Sequence, residues 1–343
     1  MQALVAAILG GKAEVAMKKH RSQTVSNSNH PHSPAQTSAD LATQAPTMDG
    51  VTWLMLIVLS LLWGGSFFFA KVAVAEMPPF SVVFVRVSLA ALCLFLVLRL
   101  SGTSIAPALA QWRAFLVMGL FNNLIPFSLI FWGQTQIASG LASILNATTP
   151  LFTVLVAHGL TVSERATMLK LTGILAGLVG VAILMGQDAV SAANGTLLAQ
   201  LACLGAAVSY AFASVFGRRF KGLPPLVTAT GQVSATTLMM LPVVIIHDQI
   251  WTLPMPSMTV TTAMIGLAVL STALAYIIFF EILKRAGATN LSLVTLLIPP
   301  SAILLGWAFL GETLLPHHFA GMAGIALGLA LIDGRIVNCF RRG

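Results

Sequence analysis

From residue 51 onward, apolar runs of 19–24 residues alternate with short breaks that carry turn residues. About 20 apolar residues span the hydrocarbon core of a bilayer as a helix. Ten such runs fall at 51–72, 80–98, 114–133, 139–160, 167–186, 196–217, 225–246, 258–280, 288–311 and 316–334. The breaks hold Met77-Pro78-Pro79, Gly102 to Pro107, Gly186 to Gly195, Gly222 to Pro225, Pro254 to Pro256, and Gly287, the punctuation expected between helices. In lipid only helices and closed barrels satisfy every backbone group, and runs this long and uniformly apolar are helices. The pattern predicts an all-α integral membrane protein of ten transmembrane helices.

The pattern also repeats. Residues 138–186 and 286–334 align at an offset of 148, which places Glu164 on Glu312, Gly173 on Gly321, Gly180 on Gly328, Ala182 on Ala330 and Gly186 on Gly334. Each copy is an apolar segment with a mid-segment proline (Pro150 in one, Pro299 in the other), then a glutamate, then a glycine-spaced apolar segment. Such self-similarity means two halves built alike, here 51–186 and 195–336. An odd number of helices per half makes the second half enter the membrane from the opposite side. Pro78-Pro79 matches Pro224-Pro225 more loosely, at an offset of 146. The expectation is two inverted five-helix repeats, the architecture of secondary transporters with alternating access.

Charge supplies orientation. Of the 18 Lys and Arg residues, 16 lie in the breaks and tails of one side, leaving only Lys71 on the other side and Arg86 within a helix. Positive charge marks the cytoplasmic side, so both termini are expected there. The loop holding Arg165 and Lys170 is copied as Glu312 to His318, which lacks basic residues and faces outward.

Composition agrees. Charged residues make up 8% and hydrophobic residues 57% of the chain, too little charge to cover a folded surface in water. A net charge of +8 without a basic stripe or interleaved aromatics argues against nucleic acid as a partner. Cys93, Cys203 and Cys339 stand far apart and form no metal or disulfide pattern. Residues 1–50 differ: Met1–Gly11 is too short to span and lacks the basic start of a signal peptide. Lys18 to Asp49 is rich in Ser, Thr, His, Pro, Gln and Asn, the composition of a disordered cytoplasmic tail. Met48 is an alternative start, and 337–343 is a short basic tail.

Several stretches resemble the EamA-type permeases of the drug/metabolite transporter superfamily. They are Trp63-Gly-Gly-Ser-Phe-Phe-Phe-Ala-Lys71, Pro78-Pro79, Arg86, the SGLASILNATTPLF stretch from Ser139, and Gly287 to Glu312. The resemblance covers about 51–336, all ten helices. It implies an inner-membrane exporter or importer of small metabolites or drugs, with no cofactor. We expect export of an amino-acid-like or other small organic solute. The rivals are a membrane-embedded lipid-processing enzyme, which would need acids or histidines clustered at one face, and a non-transporting scaffold. The absence of a GxxxxGK[ST] loop argues against an ATP-driven pump.

Polar groups in hydrocarbon are costly and face a cavity or a partner helix. By position within the spans the substrate-binding candidates are Trp63, Ser66, Arg86, Asn122, Asn123, Asn146, Tyr210, Thr272 and Tyr276. Ser209, Ser271, Thr148 and Thr149 accompany them as helix-to-helix hydrogen bonders. Asn122-Asn123 precedes Pro126 and Asn146 precedes Pro150, so carbonyls freed by proline are expected beside amide donors. Arg86 has two readings. It attracts an anionic group such as a substrate carboxylate, or it snorkels outward or pairs with Glu76 or backbone carbonyls. No acidic residue sits at a helix centre, so no buried-carboxylate proton relay is expected, and Glu281 should pair locally with Lys284 or Arg285. Glu164 and Glu312 are expected to cap the helix that follows each. Gly173, Gly177, Gly324 and Gly328 should let the fifth and tenth helices pack closely, between halves or across a homodimer. Gly64-Gly65 is a candidate hinge or small surface beside the cavity.

Overall fold

The computed structural model describes residues 49–160, 168–185, 195–291 and 293–333. The chain divides into two units, Met1–Ala45 and Pro46–Gly343, and all of the described residues belong to the second. They form ten helical rods: α1 (Gly50–Ala73), α2 (Pro79–Leu100), α3 (Trp112–Gln134), α4 (Ser139–Leu160), α5 (Met168–Met185), α6 (Thr196–Phe216), α7 (Pro225–Asp248), α8 (258–291), α9 (Val294–Leu310) and α10 (Pro316–Asp333). Seven are long and apolar enough to cross a membrane, and α5 and α9 hold shorter apolar stretches, Leu171–Leu184 and Val294–Leu310. Large apolar side chains such as Leu92, Leu175, Leu238 and Phe309 are exposed around the bundle, a surface suited to lipid rather than water.

Local chemistry sets the ends. Asp49 caps α1 by accepting the Thr52 N–H at 2.8 Å. Pro79 opens α2 and Pro225 opens α7 at the first helical position, where no N–H is missed. Gly311 ends α9 with φ +65°, a left-handed conformation that favours glycine. The expected span ends agree to within two residues, except that α8 runs on to Leu291 where the pattern ended it at 280, and α9 begins at Val294 where the pattern began it at 288. Three spans carry π-helical segments that periodicity did not foretell, at Leu120–Leu124 in α3, Val244–Asp248 in α7 and Gly266–Leu274 in α8.

The inverted repeat is visible in which helices touch. Exchanging α1–α5 for α6–α10 turns the α1–α9 contact into α6–α4, the α3–α6 contact into α8–α1, and α2–α8 into α7–α3. The α2–α7, α4–α9 and α5–α10 contacts map onto themselves. The α5–α10 contact is the most extensive, and glycine makes it so. A Cβ on Gly180 would meet the Ile325 nitrogen at 2.6 Å, and one on Gly328 would meet the Gly177 nitrogen at 2.7 Å. The glycine stripes are therefore buried between the two halves. Gly64 serves a similar close approach, because a Cβ there would meet Ser301 and Ala302 of α9; it is packing surface rather than cavity lining.

One expectation is corrected. Glu312 does not cap α10, the helix that follows it. Its carboxylate turns back to the start of α4 in the other half, accepting the Ser139 N–H at 2.8 Å and the Ser139 hydroxyl at 2.7 Å. The Gly311 turn points the side chain back along α9, and the space it enters is the one a Cβ on Gly306 would fill. Gly306→Ala is expected to displace the carboxylate and cost about 1–3 kcal/mol, read as a lower melting temperature in detergent. An unchanged melting temperature would contradict this packing. Glu164 lies outside the described residues.

Candidate functional site

The midplane polar groups meet where α2, α3, α7 and α8 converge. Arg86 on α2 is buried, 5% exposed. Its Nε donates to Thr272 Oγ1 at 2.9 Å, and its guanidinium carbon lies 3.8 Å from the Phe127 ring centroid and 5.5 Å from that of Phe131. It neither snorkels nor reaches Glu76, which is engaged with Ser257 instead. Among the described residues it has no carboxylate partner. Tyr210 and Tyr276 lie within its electrostatic reach.

Beside it runs a web of neutral groups. Asn122 Nδ2 donates to Gln232 Oε1 at 3.1 Å, and Asn123 Nδ2 donates to Thr236 Oγ1 at 3.1 Å. The Tyr276 hydroxyl donates to Asn123 Oδ1 at 3.3 Å. Thr272, which receives Arg86, donates its own hydroxyl to Leu267 O at 2.8 Å. That i−5 carbonyl is brought into reach by the π-helical turn of α8, a device common at functional sites. Arg86, Thr272, Phe127 and Asn123 are buried and Asn122, Tyr210 and Tyr276 partly buried, with Tyr210 and Tyr276 farther along their helices toward the face where α1 begins.

The freed carbonyls are satisfied otherwise than expected. In α3 the Ile125 N–H bonds to Leu120 O, and Pro126 has no N–H to continue the π register. The Phe121 carbonyl left over is taken by the Ser209 hydroxyl of α6 at 2.7 Å, not by an asparagine amide. At the break in α4, Thr148 and Thr149 donate to Leu145 O and Asn146 O at 2.6 and 2.7 Å. Asn146 Oδ1 is buried without a hydrogen-bond partner among the described residues. Trp63 packs on Phe279 with ring centroids 5.5 Å apart, and Ser66 is buried on α1. Of the nine candidates, Arg86 is joined to Thr272, and Asn122, Asn123 and Tyr276 are joined to one another beside them, with Tyr210 nearby. Trp63, Ser66 and Asn146 stand outside that network. Glu281 pairs with Arg285 at 2.7 Å.

Gln232 and Thr236 are members that the sequence reading missed. Their signal was available, since both sit mid-run within 225–246 with polar side chains. Phe127 and Phe131 had a weaker one, a spacing of four on a helix facing α2.

Two inverted five-helix halves with a buried polar cluster between them define a membrane-transporter architecture. The model of the EamA-like transporter family matches residues 50–186 and 197–333, one copy per half, and the chain belongs to that family. It is 24% identical over 277 residues to "Uncharacterized transporter YoaV" of Bacillus subtilis (strain 168), covering 80% of this chain and 94% of the relative. It is 26% identical over 280 residues to "Uncharacterized inner membrane transporter YedA" of Escherichia coli (strain K12), covering 81% and 89%. "Protein PecM" of Dickeya dadantii (strain 3937) is 25% identical over 276 residues, covering 79% and 89%. A solved crystal structure shares the fold at a TM-score of 0.61 and 20% identity, covering 86% of this chain and 100% of that one. The protein is a multi-pass membrane protein.

Proposed function

We propose that the protein is a secondary transporter that exports a small, anionic, amino-acid-like solute across the bacterial inner membrane by alternating access, with both termini in the cytoplasm. Arg86 carries this reading. A charged side chain in the membrane interior costs on the order of 2.5–3.5 kcal/mol by insertion scales. One hydroxyl acceptor and an aromatic face, the latter worth about 0.5–2 kcal/mol, solvate the guanidinium without neutralising it. A cargo carboxylate would neutralise it through charge-assisted hydrogen bonds, while the neighbouring amides and phenols suit its uncharged polar groups. The inverted contact pattern supports the rocking of two halves about this site. Tyr210 and Tyr276 lie farther along their helices toward the face where α1 begins and are less fully buried than Arg86, which supports loading from the cytoplasm.

Deletion and overexpression with metabolite profiling of cells and medium test the proposal. We expect an anionic solute to accumulate in cells on deletion and in the medium on overexpression. The reverse shift would overturn export, and a reciprocal shift confined to cationic solutes would overturn the anionic cargo.

A further inference from the structure

Three carboxylates stand on the membrane face where α1 ends, and each grips the N-terminus of a helix from the other half. Asp248, closing α7, accepts both the N–H and the hydroxyl of Ser81 in α2 at 2.7 Å. Glu76, after α1, accepts the Ser257 N–H at 2.8 Å and its hydroxyl at 2.7 Å at the start of α8. Glu312, after α9, holds Ser139 at the start of α4 in the same way and adds the Gly140 N–H at 3.3 Å. The same chemistry thus appears three times: a carboxylate takes an orphan helix amide together with the hydroxyl of the same serine. The positive end of the helix dipole favours it there. The Ser257 amide, and then its hydroxyl, hold the Glu76 carboxyl below the usual carboxylate range. Lys71 of α1 reinforces the third grip. Its ammonium donates to Gln134 O and Ile137 O, at 2.6 and 3.0 Å, in the turn that leads into Ser139.

The repeat shows where matching grips would fall on the opposite face, and the sequence lacks two of them. At offsets of 146–148, Glu76 corresponds to Gly222, Leu223 and Pro224, and Asp248 to Leu100, Ser101 and Gly102. None of these carries a carboxylate. Two of the three grips on one face thus have no counterpart on the other, while Glu164 stands at the position that matches Glu312. The burial of Arg86 and Asn123 fits a bundle closed on the gripped side, and Tyr210 and Tyr276, toward the other face, are less fully buried.

We propose that the three carboxylate–serine clasps form the outer gate of the carrier. They hold the halves together on the outer face while the site faces the cytoplasm, and they release when the site opens outward. The proposal rests on the alternating-access reading above. Glu76, Asp248 and Glu312 are positioning residues in this scheme, acting through the helices they hold and not on the cargo.

The test is a distance measurement between spin labels on Gln136→Cys and Met255→Cys, in a background without the native cysteines. The two positions are exposed, lie on the same face and belong to different halves. The parent protein should give one short distance. Each of Glu76→Gln, Asp248→Asn and Glu312→Gln should shift the open-to-closed ratio about tenfold, the scale of one charge-assisted hydrogen bond, and the triple variant should be mostly open. A triple variant that is monodisperse and fully helical yet keeps the parent distance would overturn the gate. A second variant guards against misfolding. Ser81→Cys with Asp248→Cys, without the label cysteines and bridged by a short bis-methanethiosulfonate reagent, should lose transport until the disulfides of the bridge are reduced. Undiminished transport by the bridged protein would also overturn it. An opening response in a protein that moves no solute would leave the gate standing and overturn the transporter reading.

Discussion

Arg86→Gln is expected to abolish transport while leaving the protein as stable as the parent or more so. The two effects separate because the same charge serves the cargo and burdens the empty bundle. Without cargo the guanidinium has a hydroxyl acceptor, two aromatic faces and no carboxylate among the described residues. Replacing it by a neutral amide removes a desolvation cost on the order of 2.5–3.5 kcal/mol and forfeits an aromatic contact of about 0.5–2 kcal/mol. The balance is near zero or favourable, so the melting temperature in detergent should hold or rise. With cargo the sign reverses. Truncating one partner of a buried charge pair costs about 2–5 kcal/mol, a loss of binding from some 30-fold to several thousand-fold. Arg86→Lys keeps the charge but not the planar fork and should retain partial transport, with KM affected more than kcat. A melting temperature that falls steeply in Arg86→Gln would instead mark Arg86 as a structural residue.

Gly328→Leu is expected to have the opposite profile, a large loss of stability with no direct contact to the site. Lipid offers no hydrophobic drive between helices, so close van der Waals approach holds them. At Gly328 even a Cβ would meet the Gly177 nitrogen at 2.7 Å and the Gly177 Cα at 2.8 Å. These are backbone atoms that cannot swing aside. A leucine must push α10 from α5, at a cost of about 1–3 kcal/mol or more by the scale of overpacked cores. Gly159→Leu is the matched control. It places the same side chain on a helix where nothing lies within 4 Å of the added Cβ. Thermal denaturation and protease sensitivity of the two variants should differ sharply. Equal behaviour would mean that the α5–α10 seam contributes little.

Much of this fold was legible because bilayer thickness fixes the span length and the duplicated glycines fix which helices correspond. Gly173, Gly177, Gly324 and Gly328 pointed to the α5–α10 seam for a physical reason, namely that few other residues permit such an approach. The site was half legible. Mid-span polarity singled out Arg86, Asn122, Asn123, Thr272 and Tyr276, but attention to proline-adjacent asparagines passed over Gln232 and Thr236. The π-helical turns were hidden, since an i−5 register is set by partners such as Ser209 on another helix and not by local periodicity. The clasps were hidden for the same reason. Their donors and acceptors are separated by 167, 173 and 181 residues, so Glu76 read as a candidate partner of Arg86, Asp248 as an acid in a break between helices, and Glu312 as the cap of its neighbour.

The central claim is that an anionic solute is carried through the Arg86 site. It is tested most directly by loading proteoliposomes with a bacterial metabolite extract and following by mass spectrometry what leaves them. Parent protein and Arg86→Gln would be reconstituted at equal density. The expected result is that one or a few carboxylate-bearing solutes leave the parent vesicles and are retained by Arg86→Gln. Loss of the same solutes at the same rate from both, or loss only of solutes without an anionic group, would contradict the claim.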